Sequence, residues 1–404
     1  MAAFKIKENV YSVGVLNPNM RVFDIVMTTE FGTSYNAYLI QGSKKTALIE
    51  TVHLDFFEDY LSNIKEVCGL DQIDYLVMNH NEPDHSGAVE RLTRFIPGLK
   101  ICISQAGSIY LKNIANRSDL SITVVKDGDS IDLGDKTLRF VNAPFLHWPD
   151  SMFTYLEEDR ILFSCDFLGS HFCEPRMLDV KMRECDRVPY FSAVQNYYDA
   201  IFAPFKPYVL QGLDKIKNLP IDSVATSHGP ILNKDGFLPE VKELYEKWSQ
   251  PVNREKKLIP VFYCSAYHNT EHLAQAAALG VKEIFPDAEV EVYNIIEHAM
   301  SELAELLNNC DACLIGSPTI NRDAVPPVWN LLSHIDAVNF AKRPVALFGS
   351  YGWSGEALAN VRSRLAGLKA NVFADELKVI FTPTEEDLAK AREFGRAFAK
   401  SVGQ

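Results

Sequence analysis

The segment Asn79–His85 places four side chains that can bind metal ions within six residues of one another. They are His80, Glu82, Asp84 and His85. The segment follows Tyr75–Met78, an apolar run that predicts a buried strand. Pro83 excludes a continuous helix through the segment, because proline lacks a backbone N–H and clashes with the preceding turn. We therefore expect these ligands on a loop that can fold around a metal ion.

Three other apolar runs that predict strands also end close to a residue of metal-binding type. These three residues are His147, Asp166 and His228. If the strand ends lie along one rim of a sheet sandwich, all these side chains converge; the alternative is a set of unrelated polar residues. We assign His80, Glu82 and His147 to one metal ion, and Asp84, His85 and His228 to a second, with Asp166 between them.

The donor set of this predicted dinuclear site decides which metals suit it. It offers four imidazoles, three carboxylates and no sulfur, which favours iron or manganese, with zinc as the alternative. Three carboxylates offset most of the charge of two divalent ions. A bridging aspartate can hold the metals roughly 3.5–4 Å apart, as two-metal chemistry requires.

Three loops in the C-terminal part of the chain carry hydroxyl, aromatic and glycine residues directly after predicted strands. The first contributes Ser265, Tyr267, His268, Asn269 and Thr270, the second Ser317, Pro318, Thr319 and Asn321, and the third Ser350, Tyr351, Gly352, Trp353 and Gly355. Backbone N–H groups and hydroxyls at the start of a helix favour a phosphate. Glycines let the backbone approach a flat ring, against which Tyr351 or Trp353 could lie. These loops are similar to those with which flavodoxins bind FMN and predict an FMN site; the alternative is a sheet without a ligand.

Two further motifs have other meanings in other proteins. The residues from His268 to His272 fit the His-x-x-Glu-His pattern of some zinc peptidases. That pattern needs a helix of its own, so we interpret His268 as a phosphate-loop residue and His272 as helix surface. Cys310 and Cys313 form a Cys-x-x-Cys pair, but a zinc or rubredoxin-like iron site would need a second pair. We interpret the pair as the start of a buried strand.

The elements that must position these residues divide the chain near residue 250. The polar segment 247–257 predicts an interdomain linker. Short β-type runs and turns precede it, and strands alternate strictly with helices after it, which predicts a doubly wound, parallel, five-stranded, flavodoxin-like sheet. We expect a metal-binding domain over 1–250 and an FMN-binding domain over 254–404.

The composition of the 404 residues, with 47% apolar and 23% charged residues, is that of a globular protein. The formal net charge of −13 argues against a nucleic-acid partner. No run approaches the roughly 18 apolar residues of a membrane helix. The N-terminus lacks the apolar region of a signal peptide, and the eight cysteines are scattered. We therefore expect a cytoplasmic protein with reduced thiols and no membrane partner.

The metal motif resembles the His-x-His-x-Asp-His signature of the metallo-β-lactamase fold, with Glu82 in place of the second histidine. This substitution is the pattern of the flavodiiron family. The segments 32–40, 146–156, 161–166 and 227–231 and the order of the domains are similar to that family as well. The resemblance implies a metallo-β-lactamase-like αββα sandwich followed by the flavodoxin-like domain.

The same resemblance implies an activity and partners. A flavodiiron protein reduces dioxygen to water, nitric oxide to nitrous oxide, or both, at a non-haem centre of two iron ions that receives electrons through FMN. The expected donor is external, either rubredoxin or a reduced deazaflavin cofactor. The expected assembly is a head-to-tail homodimer, or a dimer of such dimers.

Two residues are candidates for a role beside the ligands. His171, five positions after Asp166, could support the metals or gate the pocket, and a core histidine is the equal alternative. Tyr197 lies in a helical segment similar to one that brings a tyrosine near the di-iron pocket of the family, with packing as the alternative. Many family members have a pocket histidine where this chain has Asp24.

Two other functions remain as alternatives at this point. One is a zinc-dependent hydrolase of the metallo-β-lactamase fold with a fused flavin-binding module. Glu82 argues against it, because such hydrolases usually keep a histidine there. The other is a flavodoxin-like electron carrier with a purely structural metal domain.

Overall fold

The computed structural model describes residues 2–251 and 254–403. It divides into two compact units, an N-terminal one that ends at Pro251 and a C-terminal one that follows it. Residues 247–249 of the predicted linker belong to a helix, and residues 252 and 253 of that linker lie outside the described residues.

The strands of the N-terminal unit are mostly short. They are β1 (Phe4–Lys7), β2 (Val10–Ser12), β3 (Val15–Asn17), β4 (Val22–Phe23), β5 (Met27–Thr28), β6 (Thr33–Tyr35), β7 (Tyr38–Gln41), β8 (Thr46–Ile49), β9 (Tyr75–Met78), β10 (Lys100–Ile103), β11 (Ile122–Val124), β12 (Ser130–Asp132), β13 (Thr137–Asn142), β14 (Met152–Leu156), β15 (Ile161–Cys165), β16 (Ser223–Thr226) and β17 (Leu232–Asn233). The helices are α1 (Phe57–Val67), α2 (Pro83–Ser86), α3 (Val89–Phe95), α4 (Gln105–Ile114), α5 (Arg187–Tyr197), α6 (Lys206–Ile216) and α7 (Leu238–Ser249).

Two large sheets form the centre of this unit. Within residues 2–251, the seven-stranded sheet has the order β1-β2-β7-β8-β9-β10-β11, and the six-stranded sheet has the order β12-β13-β14-β15-β16-β17. One apolar core lies between the sheets and includes Tyr38, Phe140 and Phe163. Separate cores pack the outer faces against helices, with Phe57 of α1 in one and Tyr245 of α7 in the other.

These layers explain why the strand sequences lack an alternating pattern. All five residues of β14 and all five of β15 are buried, because both faces of their sheet are covered. The order helix, sheet, sheet, helix is an αββα sandwich. The sequence prediction of this fold is confirmed.

The C-terminal unit alternates strands and helices. Its strands are β18 (Val261–Tyr263), β19 (Val292–Asn294), β20 (Cys313–Gly316), β21 (Thr319–Ile320), β22 (Asp323–Ala324), β23 (Pro344–Tyr351) and β24 (Asn371–Ile380). Its helices are α8 (Asn269–Ile284), α9 (Met300–Asn309), α10 (Pro326–Ser333), α11 (Ala337–Phe340), α12 (Ala357–Gly367) and α13 (Glu385–Val402).

Five of these strands form a parallel sheet of order β19-β18-β20-β23-β24 within residues 254–403. Apolar cores cover both of its faces, one with α9, α10 and α12 and the other with α8 and α13. The predicted doubly wound flavodoxin-like fold is therefore confirmed. The short hairpin β21–β22 and the single-turn helix α11 were not predicted. Among the described residues, every helix is either too short or too polar to span a bilayer.

Candidate metal and flavin sites

The predicted ligands all follow strand ends at one edge of the αββα sandwich. The four candidates of the Asn79–His85 segment follow β9, and His147, Asp166 and His228 come after β13, β15 and β16. The expectation that all four candidates of that segment lie on a loop is wrong for Asp84 and His85. These two belong to helix α2, which begins at Pro83. Proline is tolerated at the first position of a helix, where its missing N–H would have no intrahelical partner.

One group of side chains brings together His80, Glu82, His147 and Asp166, with potential ligand atoms within 4.8 Å of one another. The Oε2 atom of Glu82 lies 3.1 Å from Nε2 of His147 and 3.4 Å from Nε2 of His80. A second group contains Asp84, His85 and His228. There, Asp84 places Oδ1 3.4 Å from Nε2 of His85 and Oδ2 3.0 Å from Nε2 of His228.

Asp166 connects the two groups through its two carboxylate oxygens. Its Oδ2 atom lies 3.6 Å from Nε2 of both His80 and His147. Its Oδ1 atom lies 3.0 Å from Nε2 of His85 and 3.4 Å from Nε2 of His228. Each oxygen therefore faces a different group, which is the arrangement that a bridging carboxylate needs.

Unpaired polar atoms in this cluster fit metal ions. Both carboxylate oxygens of Asp84 and of Asp166 and both ring nitrogens of His85 are buried, and none makes a hydrogen bond of acceptable angle among the described residues. This holds although some of these atoms lie only 3.0 Å from a neighbouring side chain of the cluster. Buried polar groups normally have partners, and desolvating them without one is costly. Divalent cations would satisfy these atoms and neutralise the carboxylates.

The pKa values of the cluster also indicate a site that favours cations. Burial lowers the pKa of His85, but Asp84 and Asp166 outweigh it and raise that pKa to about 10. Burial raises the pKa of Glu82, but its hydrogen bonds with His147 and His80 hold it well below the usual value. The carboxylates thus create a strong preference for positive charge, for which protons and metal ions compete.

An open cavity of about 390 Å³ leads to this cluster, with Phe23, Asp24, Tyr35, Glu82 and Asp84 among its lining residues. Burial and a hydrogen bond with Glu82 raise the pKa of Asp24 to about 7. The Phe23 ring lies 4.5 Å from the His171 ring, measured between centroids. The cavity is a path by which a small molecule can reach the ligands.

The three candidate flavin segments lie at one edge of the parallel sheet, at the carboxyl ends of the adjacent strands β18, β20 and β23. Ser350 and Tyr351 are not on a loop, because they are the last two residues of β23. Thr270 Oγ1 lies 2.8 Å from Ser350 Oγ, which joins the first loop to the third. The backbone N–H of Ser317 donates to the carbonyl of Phe348 over 3.1 Å. Asn321 differs from expectation, since it occupies the turn of the β21–β22 hairpin with a φ of 53°.

The first loop has features that suit a phosphate. It ends at the N-terminus of α8, where His268 has a left-handed φ of 61°. The Oγ atom of Ser265 is buried without a hydrogen-bond partner among the described residues. Unpaired N–H groups and the helix dipole favour an anion at such a position. Two large aromatic side chains of these loops are exposed, Tyr267 by 83% and Trp353 by 88%, which a flat ring could cover.

Comparisons with known proteins agree with this geometry. Residues 33–229 match the family model described as ODP family beta lactamase, and residues 261–395 match the flavodoxin model. The Flavo-diiron protein FprA2 of Clostridium acetobutylicum is 54% identical over 403 residues, which cover 100% of both chains. The chain belongs to the flavodiiron protein family.

Two more relatives extend the comparison of this flavodiiron protein. The anaerobic nitric oxide reductase flavorubredoxin of Aeromonas hydrophila is 35% identical, with 98% of this chain and 79% of that protein covered. The solved structure of the rubredoxin oxygen:oxidoreductase of Desulfovibrio gigas is 27% identical in sequence, with a TM-score of 0.70, and 99% of this chain and 98% of that chain are covered. The family resemblance inferred from the metal motif is confirmed.

The flavodiiron site also contains residues that the sequence did not single out. Asp150 lies 3.1 Å from Nδ1 of His80, and Thr33 Oγ1 lies 2.9 Å from Nδ1 of His171. The Nδ1–H of His228 donates to the carbonyl of Ser34 over 2.7 Å, which leaves Nε2 free for a metal. The sequence offered Asp150 as a candidate, because it is an acidic residue only three positions after the predicted ligand His147. Thr33 and Ser34 were not candidates, since they come from a distant strand.

Proposed function

We propose that this flavodiiron protein is an oxidoreductase that reduces dioxygen to water, nitric oxide to nitrous oxide, or both, with electrons delivered through FMN to a non-haem di-iron centre. The observation that carries the proposal is the pair of buried ligand groups that share Asp166, in one chain with a flavodoxin unit. The names of the relatives from Aeromonas hydrophila and Desulfovibrio gigas support both substrates.

The chain's own residues would hold the cofactors in separate domains. We assign the iron ions to domain 1–250, one to His80, Glu82 and His147, the other to Asp84, His85 and His228, with Asp166 between them. We assign FMN to domain 254–404 and to the three segments at the carboxyl ends of β18, β20 and β23. When bound, FMN can store two electrons and the iron pair two more, which matches the four that reduce dioxygen to water.

Protons for the reaction would come from water or from residues beside the ligands. His171 and Tyr197 are in ring contact, with centroids 4.9 Å apart, and the His171 ring also lies 4.8 Å from that of His228. Tyr197 Oη and His171 Nε2 are buried without a hydrogen-bond partner among the described residues. Burial raises the pKa of Tyr197 well above its usual value, so its O–H remains a donor at neutral pH.

The partners of the chain are proposals as well. A rubredoxin-type donor agrees with the names of two relatives, and a reduced deazaflavin cofactor is the other candidate. We propose a head-to-tail homodimer in the cytoplasm, or a dimer of such dimers. Exposed apolar residues beside each site support association, with Ile25 and Val26 in the N-terminal unit and Trp353 in the C-terminal unit.

Metal analysis and the visible spectrum of the purified protein test the proposal. We expect two irons and one FMN per chain. Zinc without iron would instead support the hydrolase. FMN bound to a protein whose metal cannot be reduced would support the electron carrier. Consumption of dioxygen and of nitric oxide by the reduced protein then measures the substrate preference.

A further inference from the structure

The Cys-x-x-Cys pair of the C-terminal unit has no part in the proposed reaction. Cys310 directly follows α9, and Cys313 is the first residue of β20. The pair is therefore at the opposite end of β20 from Ser317. Cys310 is 3% exposed and Cys313 is fully buried. Cys310 nevertheless lies just below the surface, because its neighbours Asn309 and Asp311 are exposed.

The two thiols contact each other and a cation. The Cys310 thiol interacts with the Cys313 thiol, and its Sγ–H donates to the carbonyl of Leu307 over 3.2 Å. Nη1 of Arg343 lies 3.8 Å from Sγ of Cys310 and donates a hydrogen bond to the carbonyl oxygen of Cys310. The guanidinium also donates to the carbonyl of Asn339 over 3.2 Å, which fixes its position beside the thiols.

These contacts make the two thiols unequal. Burial raises the pKa of the Cys310 thiol, but its interactions with the Cys313 thiol and the Arg343 guanidinium outweigh burial and lower it. The interaction with Cys310, followed by burial, raises the pKa of Cys313. A buried cysteine elsewhere in the same unit behaves differently, because burial alone raises the pKa of Cys264 to about 12. Because the Arg343 guanidinium lies beside the sulfur of Cys310, Cys310 is suited to be the nucleophile and Cys313 the resolving thiol.

We propose that Cys310 and Cys313 form a redox-active dithiol that hydrogen peroxide oxidises to an intramolecular disulfide. The Cys310 sulfur attacks one peroxide oxygen, the O–O bond breaks, and water leaves as a sulfenic acid forms. The Cys313 sulfur then attacks Cys310, an S–S bond forms, the S–O bond breaks, and the Cys313 proton leaves with the hydroxyl as a second water. Two thiols and one peroxide give one disulfide and two waters, and a dithiol such as dithiothreitol reverses the change.

The test is peptide mass analysis of the FMN- and iron-loaded protein after treatment with hydrogen peroxide. We expect the peptide that contains both cysteines to lose two hydrogen atoms and to regain them with dithiothreitol. In Cys313→Ser, a sulfenic-acid probe should label Cys310. In Cys310→Ser, Cys313 should stay reduced. Cys264 should stay reduced in the parent and in both variants. Cys310 and Cys313 that remain fully alkylatable while the exposed Cys185 is oxidised would refute the proposal.

A second measurement examines the role of Arg343. In Arg343→Gln, disulfide formation should be slower than in the parent, because the variant loses the guanidinium that lies beside the Cys310 sulfur and favours its thiolate. Arg362→Gln is the matched control, because Arg362 is paired with Glu376 elsewhere in the unit. Equal rates in the two variants would remove Arg343 from the proposal. Sulfenic-acid labelling of Cys313 in Cys310→Ser that is as fast as labelling of Cys310 in Cys313→Ser would contradict Cys310 as the nucleophile.

Discussion

The Nδ1 atom of His80 lies 3.1 Å from a carboxylate oxygen of Asp150, and both side chains are completely buried. The other carboxylate oxygen of Asp150 accepts hydrogen bonds from Asn81, at 2.8 Å from the backbone nitrogen and 2.7 Å from Nδ2. Asp150 therefore directs Nε2 of His80 toward Glu82 and Asp166. A carboxylate in this position fixes the tautomer of a histidine ligand and raises its basicity.

The variant Asp150→Asn should weaken metal binding at the group that contains His80. Its amide oxygen can still accept from His80, but its NH₂ then faces the two N–H donors of Asn81. We expect the affinity for one metal ion to fall by about 10–100-fold. Titration of metal-free protein with Fe²⁺ under anaerobic conditions measures this change.

Asp159→Asn is the control for this variant. Asp159 is also buried and pairs with Lys136, away from the metal ligands. It should lose stability without a change in metal affinity. If both variants bind two metal ions as tightly as the parent, Asp150 does not position His80.

Replacing Asp166 with Ala should remove more metal than replacing a ligand of one group. The two carboxylate oxygens of Asp166 face different ligand groups, one with His80 and the other with His85. His228 belongs only to the group of Asp84 and His85. We expect Asp166→Ala to lose both metal ions and His228→Ala to lose mainly one. Iron analysis of the purified variants measures the difference. Near-complete iron in Asp166→Ala would contradict the bridging assignment. Both variants should retain FMN, because its loops belong to the other domain.

The sequence predicted which side chains come together better than it predicted their surroundings. Types and spacing were sufficient to place His80, Glu82 and Asp166 in one cluster, because each follows a strand that its own apolar residues identify. Helix α2 was missed, since Pro83 was interpreted only as a helix breaker and not as a helix start. The contact of Thr33 with His171 joins residues 138 positions apart, so only the packed sheets reveal it.

Local signals also explain what was found and missed in the C-terminal unit. The alternation of apolar strands and amphipathic helices predicted the five-stranded sheet. The hairpin β21–β22 was missed because its turn residues, Asn321 and Arg322, adopt positive φ values without a glycine. The position of Arg343 beside Cys310 depends on a neighbouring strand and could not be read from the Cys-x-x-Cys spacing.

Glu50 should make the stability of the metal-free protein depend on pH. Its side chain is buried, and Oε1 accepts from the backbone N–H of Asn79 over 2.8 Å. Burial raises its pKa from 4.5 to about 8. The folded state therefore holds this proton more tightly than the unfolded state. The resulting stabilisation is complete below the pKa of Glu50 in the unfolded chain, and it is lost as the pH rises to the pKa of Glu50 in the folded protein.

The variant Glu50→Gln removes this titration. The difference in the free energy of unfolding between variant and parent should change by several kcal/mol, in favour of the variant, as the pH rises from 4.5 to about 8. Urea denaturation of both chelator-treated proteins at a series of pH values measures it. The paired comparison cancels the other titrating groups. A difference that does not vary with pH would show that Glu50 is ionised in the folded protein.

Complementation tests whether electrons cross between chains in the proposed head-to-tail dimer. A two-fold dimer that pairs the domains reciprocally would place each FMN against the irons of the partner chain. One chain carries Asp166→Ala, and the other carries Ser265→Asp, whose negative charge should repel the FMN phosphate. Each variant alone should lack oxygen reductase activity. Coexpressed, with the mixed dimer isolated through two different tags, they should regain one working FMN–iron pair and roughly half of the parent's activity per dimer. Transfer within a chain predicts no activity, because neither chain then has both centres. A mixed dimer that contains FMN and iron but stays inactive would therefore overturn the arrangement between chains.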